Sequence, residues 1–107
     1  MTLVAEPNAR GHRLYYVSLL IEECRSRGDR VILLTTKSAA ESPQWKVHLG
    51  ELDPEVFVQQ PDRFSLLDIA SVSSELGAGL TIVPDADGHL LPTFRSGWTG
   101  QAYRLGR

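Results

Sequence analysis

The sequence predicts an α/β domain of three layers, with helices on both faces of a mainly parallel sheet of four to five strands in the order 3-2-1-4(-5). Three observations carry this reading. Short apolar runs alternate along the chain with longer stretches of helical periodicity. The run Arg30-Val31-Ile32-Leu33-Leu34-Thr35-Thr36 is apolar without alternation, as in a strand covered on both faces. The long helical pattern before it joins it to an earlier apolar run, and a strand–helix–strand unit of this kind crosses over in the right-handed sense and makes its strands parallel.

Taken in order, Leu3-Val4-Ala5 is a first strand, closed by the turn residues Glu6-Pro7-Asn8. From Gly11 the spacing changes: Leu14, Val17, Leu20 or Ile21, and Cys24 recur at helical intervals, which predicts a helix from His12 to Arg27 with Gly28 as a left-handed cap. The second strand follows. Within Lys37 to Leu52, Ser42-Pro43 suits the start of a short helix with Trp45, Leu49 and Leu52 on one face. Glu55-Val56-Phe57-Val58-Gln59 is a third strand stopped by Pro61. Asp62 is then expected to cap a helix carrying Phe64, Leu67, Val72 and Leu76, ended by Gly77 and Gly79. Leu80-Thr81-Ile82-Val83 is a fourth strand, running into the turn Pro84-Asp85-Ala86-Asp87-Gly88. A short helix is expected over His89 to Ser96 despite Pro92, and Gln101 to Leu105 reads as the beginning of a fifth strand.

The 107 residues suit a single domain, and 42% apolar with 22% charged residues is a globular composition. Eleven basic and 13 acidic residues, net −2, are mixed along the chain and give no sustained positive field, so nucleic acid is not an expected partner. Arg95, Arg104 and Arg107 read as a solvated tail. One cysteine, Cys24, makes no internal disulfide and reads as a small buried hydrophobe, which suits a reducing, cytoplasmic setting. Met1 to Pro7 lacks the pattern of a secretory signal, and no apolar run approaches the ~18 residues of a membrane span, so any membrane contact would be peripheral.

In open sheets of this kind ligands gather beyond the carboxyl ends of the strands, where the strand order reverses. With the order 3-2-1-4 that crevice lies between strands 1 and 4. The residues just past those ends are Asn8, Arg10, Gly11 and His12 on one side, and Asp85, Asp87, Gly88 and His89 on the other; these are the candidate substrate-binding and catalytic residues. His12, at a helix start, would be kept neutral by the local dipole and could act as a general base toward a hydroxyl; a lone histidine also has the plainer reading of packing at the helix start. Asp85 and Asp87 could hold a histidine or bind sugar hydroxyls, although Asp-x-Asp-Gly is also ordinary turn chemistry. The stretch supplies too few ligands for a metal, and none is expected. Tyr15, Tyr16, Trp45 and Trp98 could stack on a sugar, or belong to the core and its margin. Glu6-Pro7-Asn8-Ala9-Arg10-Gly11-His12 lacks the glycine-rich dinucleotide fingerprint, and the chain carries neither a Walker loop nor a G-x-S-x-G elbow.

Gly11-His12-Arg13-Leu14-Tyr15-Tyr16-Val17, the turn Arg27-Gly28-Asp29-Arg30 and the strand Val31-Ile32-Leu33-Leu34-Thr35-Thr36 resemble the amino-terminal strand–helix–strand unit of the Rossmann-like GT-B glycosyltransferases. In that family a small residue or glycine stands near a histidine in the first loop, the helix ends in an arginine-glycine-histidine-like turn, and a valine-rich strand closes on threonine. Here Asp29 replaces the histidine. Ile82-Val83-Pro84-Asp85-Ala86-Asp87 also fits the family's fourth strand and loop.

The resemblance implies an acceptor-side domain, with His12 where some members put a base and Asp87 near the place of a partner acid. It implies transfer of a sugar from a nucleotide-sugar donor to a small hydroxyl acceptor. The donor would be bound only in a complete protein, on a second Rossmann-like domain, so the chain is expected to be an incomplete amino-terminal domain, inactive alone and without a cofactor of its own. The alternative is a noncatalytic α/β module that binds a small ligand or a protein through the same crevice, although the acidic cluster of receiver domains is missing after strand 1. An exposed sheet edge would invite a homodimer.

Overall fold

The computed structural model describes residues 1–84 and 93–95. Among the described residues nine elements follow one another: β1 (Thr2–Ala5), α1 (Arg13–Ser26), β2 (Val31–Thr35), α2 (Lys37–Ala40), α3 (Pro43–Leu49), β3 (Glu55–Val58), α4 (Leu66–Leu76), β4 (Leu80–Ile82) and β5 (Thr93–Arg95). The sheet order is β3-β2-β1-β4-β5. β1 pairs in parallel with both β2 and β4, β2 pairs in parallel with β3, and β5 runs antiparallel to β4. The expected Rossmann-like α/β class and the 3-2-1-4 order are therefore what the chain adopts.

The reason is visible in the two central strands. Every residue of β1 and β2 is buried, and alternate side chains serve opposite cores. Leu3, Ala5, Ile32 and Leu34 pack with Ile69 and Val72 of α4, while Val4, Val31 and Leu33 pack with Leu14, Val17 and Ile21 of α1 and Leu49 of α3. An unbroken apolar run is thus the sequence image of two helical layers. Thr81 in β4 and Ser73 in α4, both buried, satisfy one another, the Thr81 hydroxyl donating to Ser73 Oγ at 2.7 Å.

α1 buries Leu14, Val17, Ser18 and Ile21, so Ile21 rather than Leu20 takes the inward position. It ends as expected at Gly28, whose φ of +76° lets the Gly28 amide reach the Arg25 carbonyl at 2.9 Å and the Asp29 amide reach the Cys24 carbonyl at 3.0 Å. Gly77, at φ +71°, closes α4 in the same manner. Cys24 is half-buried rather than fully buried. Desolvation pushes its thiol up, which favours the hydrophobe reading over a nucleophile.

Several expectations change in detail. The single helix within 37–52 is two: Thr36 caps α2 by accepting from the Ala39 amide, and Ser42 caps α3 by accepting from the Trp45 amide, with Pro43 in the first turn. Asp62 does not cap α4. Ser65 does, in a reciprocal capping box with Asp68, and this start rotates Ile69, Val72 and Ser73 inward and leaves Leu67 76% exposed. The stretch read as a helix over His89 to Ser96 contains β5, because Thr93 and Phe94 are strand formers and Pro92 removes a helix donor. The strand expected over Gln101 to Leu105 lies outside the described residues. β3 is an edge strand with all four residues exposed, tied at its start to Arg30 by a two-bonded Arg30–Glu55 pair at 2.8 Å. Among the described residues no helix is long and apolar enough to cross a membrane.

Candidate functional site

Val4 lies beside Ile82 in the parallel β1–β4 pair, so the segments after the two strands leave the sheet from one end. That end is the reversal point of the strand order, as expected. Of the residues expected there, Asn8, Arg10, Gly11 and His12 stand together in the loop from β1 to α1; Asp85, Asp87, Gly88 and His89 lie outside the described residues.

The loop is organised from within. The Asn8 amide donates to Glu6 Oε2 at 3.1 Å, and the Arg10 amide donates to Asn8 Oδ1 at 3.0 Å, an Asx turn. From β2 and the start of α2, the Thr35 hydroxyl donates to the Glu6 carbonyl at 2.7 Å and the Thr36 hydroxyl to the Pro7 carbonyl at 2.9 Å. Gly11, at φ +60°, makes the left-handed step that lets α1 begin, and a side chain there would be strained.

His12 is exposed and occupies the N-cap of α1 without a side-chain capping bond. Its carbonyl accepts the Tyr16 amide at 3.0 Å. The imidazole therefore makes no capping bond to the first turn of α1. The ring stands edge-on to Tyr16, 6.5 Å between centroids at 71°. Tyr16 continues to Tyr15 at 5.7 Å, and Tyr15 to His48 at 5.8 Å. Tyr15 and Tyr16 are 44% and 56% exposed, so neither is a core residue, whereas Trp45 packs against the core as its plainer reading had it. Trp98 lies outside the described residues.

Sequence reasoning passed over Glu6, taking it for a turn residue. Its side chain is only 3% exposed. Burial pushes its carboxyl up to about 7, against the opposing effects of the Asn8 amide and the Arg13 charge. The rule that picked out Asn8, a polar residue just past the end of β1, also points to Glu6. Asp29, where the resemblance expects histidine, accepts the Thr2 hydroxyl, which holds its carboxyl below the usual range. That is a structural contact at the opposite end of β1 from the loop. Among the described residues no group of three or more His, Cys, Asp or Glu side chains is placed to hold a metal ion.

Chemically, the loop and the first turn of α1 offer an exposed imidazole beside two exposed phenol rings, groups that can meet a hydroxylated ring compound. Comparison with protein-family models, with curated proteins and with solved structures found no match, so the reading rests on this geometry and on the sequence resemblance.

Proposed function

We propose that this chain is the acceptor-side part of a glycosyltransferase, binding a small hydroxyl acceptor at the β1–α1 loop while a donor-binding domain elsewhere presents a nucleotide sugar. The observation that carries the reading is the exposed run His12–Tyr16–Tyr15 leading from the carboxyl end of β1. Aromatic faces take up the apolar faces of sugar rings, and a neighbouring imidazole can accept a hydroxyl proton. In transfer, the acceptor O–H would lose its proton to His12, its oxygen would bond to the anomeric carbon, and the bond from that carbon to the nucleotide's phosphate oxygen would break. The setting that goes with this reading is cytoplasmic, where nucleotide sugars are at hand.

Calorimetric titration of the chain tests it, with a panel of mono- and disaccharides and with nucleotide sugars. Weak binding of at least one saccharide, on the order of millimolar, lost in Tyr16→Ala, is the expected result. Nucleotide-sugar binding should be no tighter than that of the free sugar. Tight nucleotide-sugar binding by this chain alone, or no saccharide binding at all, would contradict the assignment.

A further inference from the structure

The β1–α1 loop contains a buried acid that the proposed chemistry does not use. Glu6 begins where β1 ends, and its own amide is fixed to the Leu34 carbonyl at 2.9 Å, so its backbone belongs to the sheet. Its side chain belongs to the loop, where Oε2 receives the Asn8 amide and the carboxyl is almost wholly enclosed.

We infer that Glu6 is the catch of a proton-operated latch: with the carboxyl protonated the loop Asn8–His12 stays seated on it, and loss of the proton lifts the loop so that water reaches the carboxylate. The inference does not depend on glycosyl transfer and holds for any ligand of this loop.

The physical case is one of unequal alternatives. An ionised carboxylate in an enclosed site needs several donors, and among the described residues Glu6 has one amide at 3.1 Å and the attraction of Arg13. Those two do not offset the burial, so the carboxyl holds its proton up to about 7. Among the described residues, the strain of ionisation is relieved most readily on the side of the loop. β1 and β2 are buried along their whole length and locked by parallel pairing. Arg10, Gly11 and His12 are exposed, and the positive φ of Gly11 marks the point where the loop turns. Local opening starts in such weakly packed segments.

Among the described residues the charged and titratable groups around the carboxyl are few. Arg13 faces it from α1, and Arg10 and His12 belong to the same loop. β2 presents only the uncharged Thr35 and Thr36, and β4 (Leu80, Thr81, Ile82) carries no titratable side chain. The hydroxyls of Thr35 and Thr36 grip the Glu6 and Pro7 carbonyls, so the base of the loop stays fixed and the moving part begins at Asn8.

Amide hydrogen exchange of the whole chain, followed by NMR from about pH 5 to about pH 8.5 and expressed as protection factors, tests the latch. In the wild type the protection of the Asn8 and Arg10 amides should fall about tenfold as the pH passes the Glu6 midpoint, while Leu33 in β2 stays constant. In Glu6→Gln, which keeps an acceptor for the Asn8 amide and cannot ionise, the fall should vanish; in His12→Gln it should remain. Persistence of the fall in Glu6→Gln, or its loss in His12→Gln, overturns the inference. Should Glu6→Gln not fold, the side-chain carboxyl carbon of Glu6 in the wild type decides. A midpoint near neutrality that coincides with the loss of protection supports the latch, and titration in the ordinary carboxylate range, or without loss of protection, refutes it.

Discussion

Glu6 shows how one side chain couples the sheet to the loop above it. Its carboxyl has an ordinary value of 4.5 and is raised to about 7 in the fold, so the native state binds the proton more tightly than the unfolded chain does. The stability supplied by that proton is fully present below about pH 4.5 and is lost as the pH rises through about 7. At about 1.4 kcal/mol per pH unit the loss is on the order of 3 kcal/mol at most, and opening of the loop would reduce it. Urea unfolding at about pH 5 and about pH 8 should show wild-type stability falling over this interval, and Glu6→Gln should remove the part of the fall due to this group. An unchanged slope in the variant would show that Glu6 ionises freely. His12 is informative at the same scale. Its place at the helix start was legible in the sequence, but whether its ring caps the helix was not, because a cap is a matter of side-chain torsion and leaves no mark in residue spacing.

At the scale of elements, the sequence signals that held were those with a steric cause. Gly28 and Gly77 mark helix ends because each stands at a positive φ that few other residues adopt. The apolar run Val31–Thr35 marks a central strand because helices cover both of its faces. The signals that failed involved competing candidates. Asp62 and Ser65 both precede α4, and only Ser65 has an acidic residue three positions on to complete a reciprocal cap. Ser65→Ala should therefore cost about 0.5–2 kcal/mol in chemical denaturation, while Asp62→Ala should change stability by no more than a few tenths of a kcal/mol. Equal costs would mean that the cap is not where the box places it. β5 was misread for a related reason. Thr93-Phe94-Arg95 is too short to show a period, and the β propensity of Thr93 and Phe94 yields a strand through pairing with β4.

For the molecule as a whole, parallel pairing of β1 with β2 and with β4 makes the two ends of the sheet different. One end of the sheet carries Thr2 and Asp29 in a structural contact, and the other carries Glu6, Asn8, Gly11 and His12. The alternation of elements was enough to foresee that end and the place of Asn8, Arg10, Gly11 and His12 in the loop after β1. The aromatic run from His12 through Tyr16 to Tyr15 was not foreseeable as a surface, since helical spacing places tyrosines equally well at the margin of a core. The most direct test of the account is to map where a saccharide binds, by following backbone amide and aromatic NMR signals of the whole chain through a titration. The account predicts that the shifts concentrate on Asn8 to Tyr16, with the Thr2 and Asp29 end unmoved. Shifts confined to the edge strand β3 or to the Thr2 and Asp29 end would contradict it.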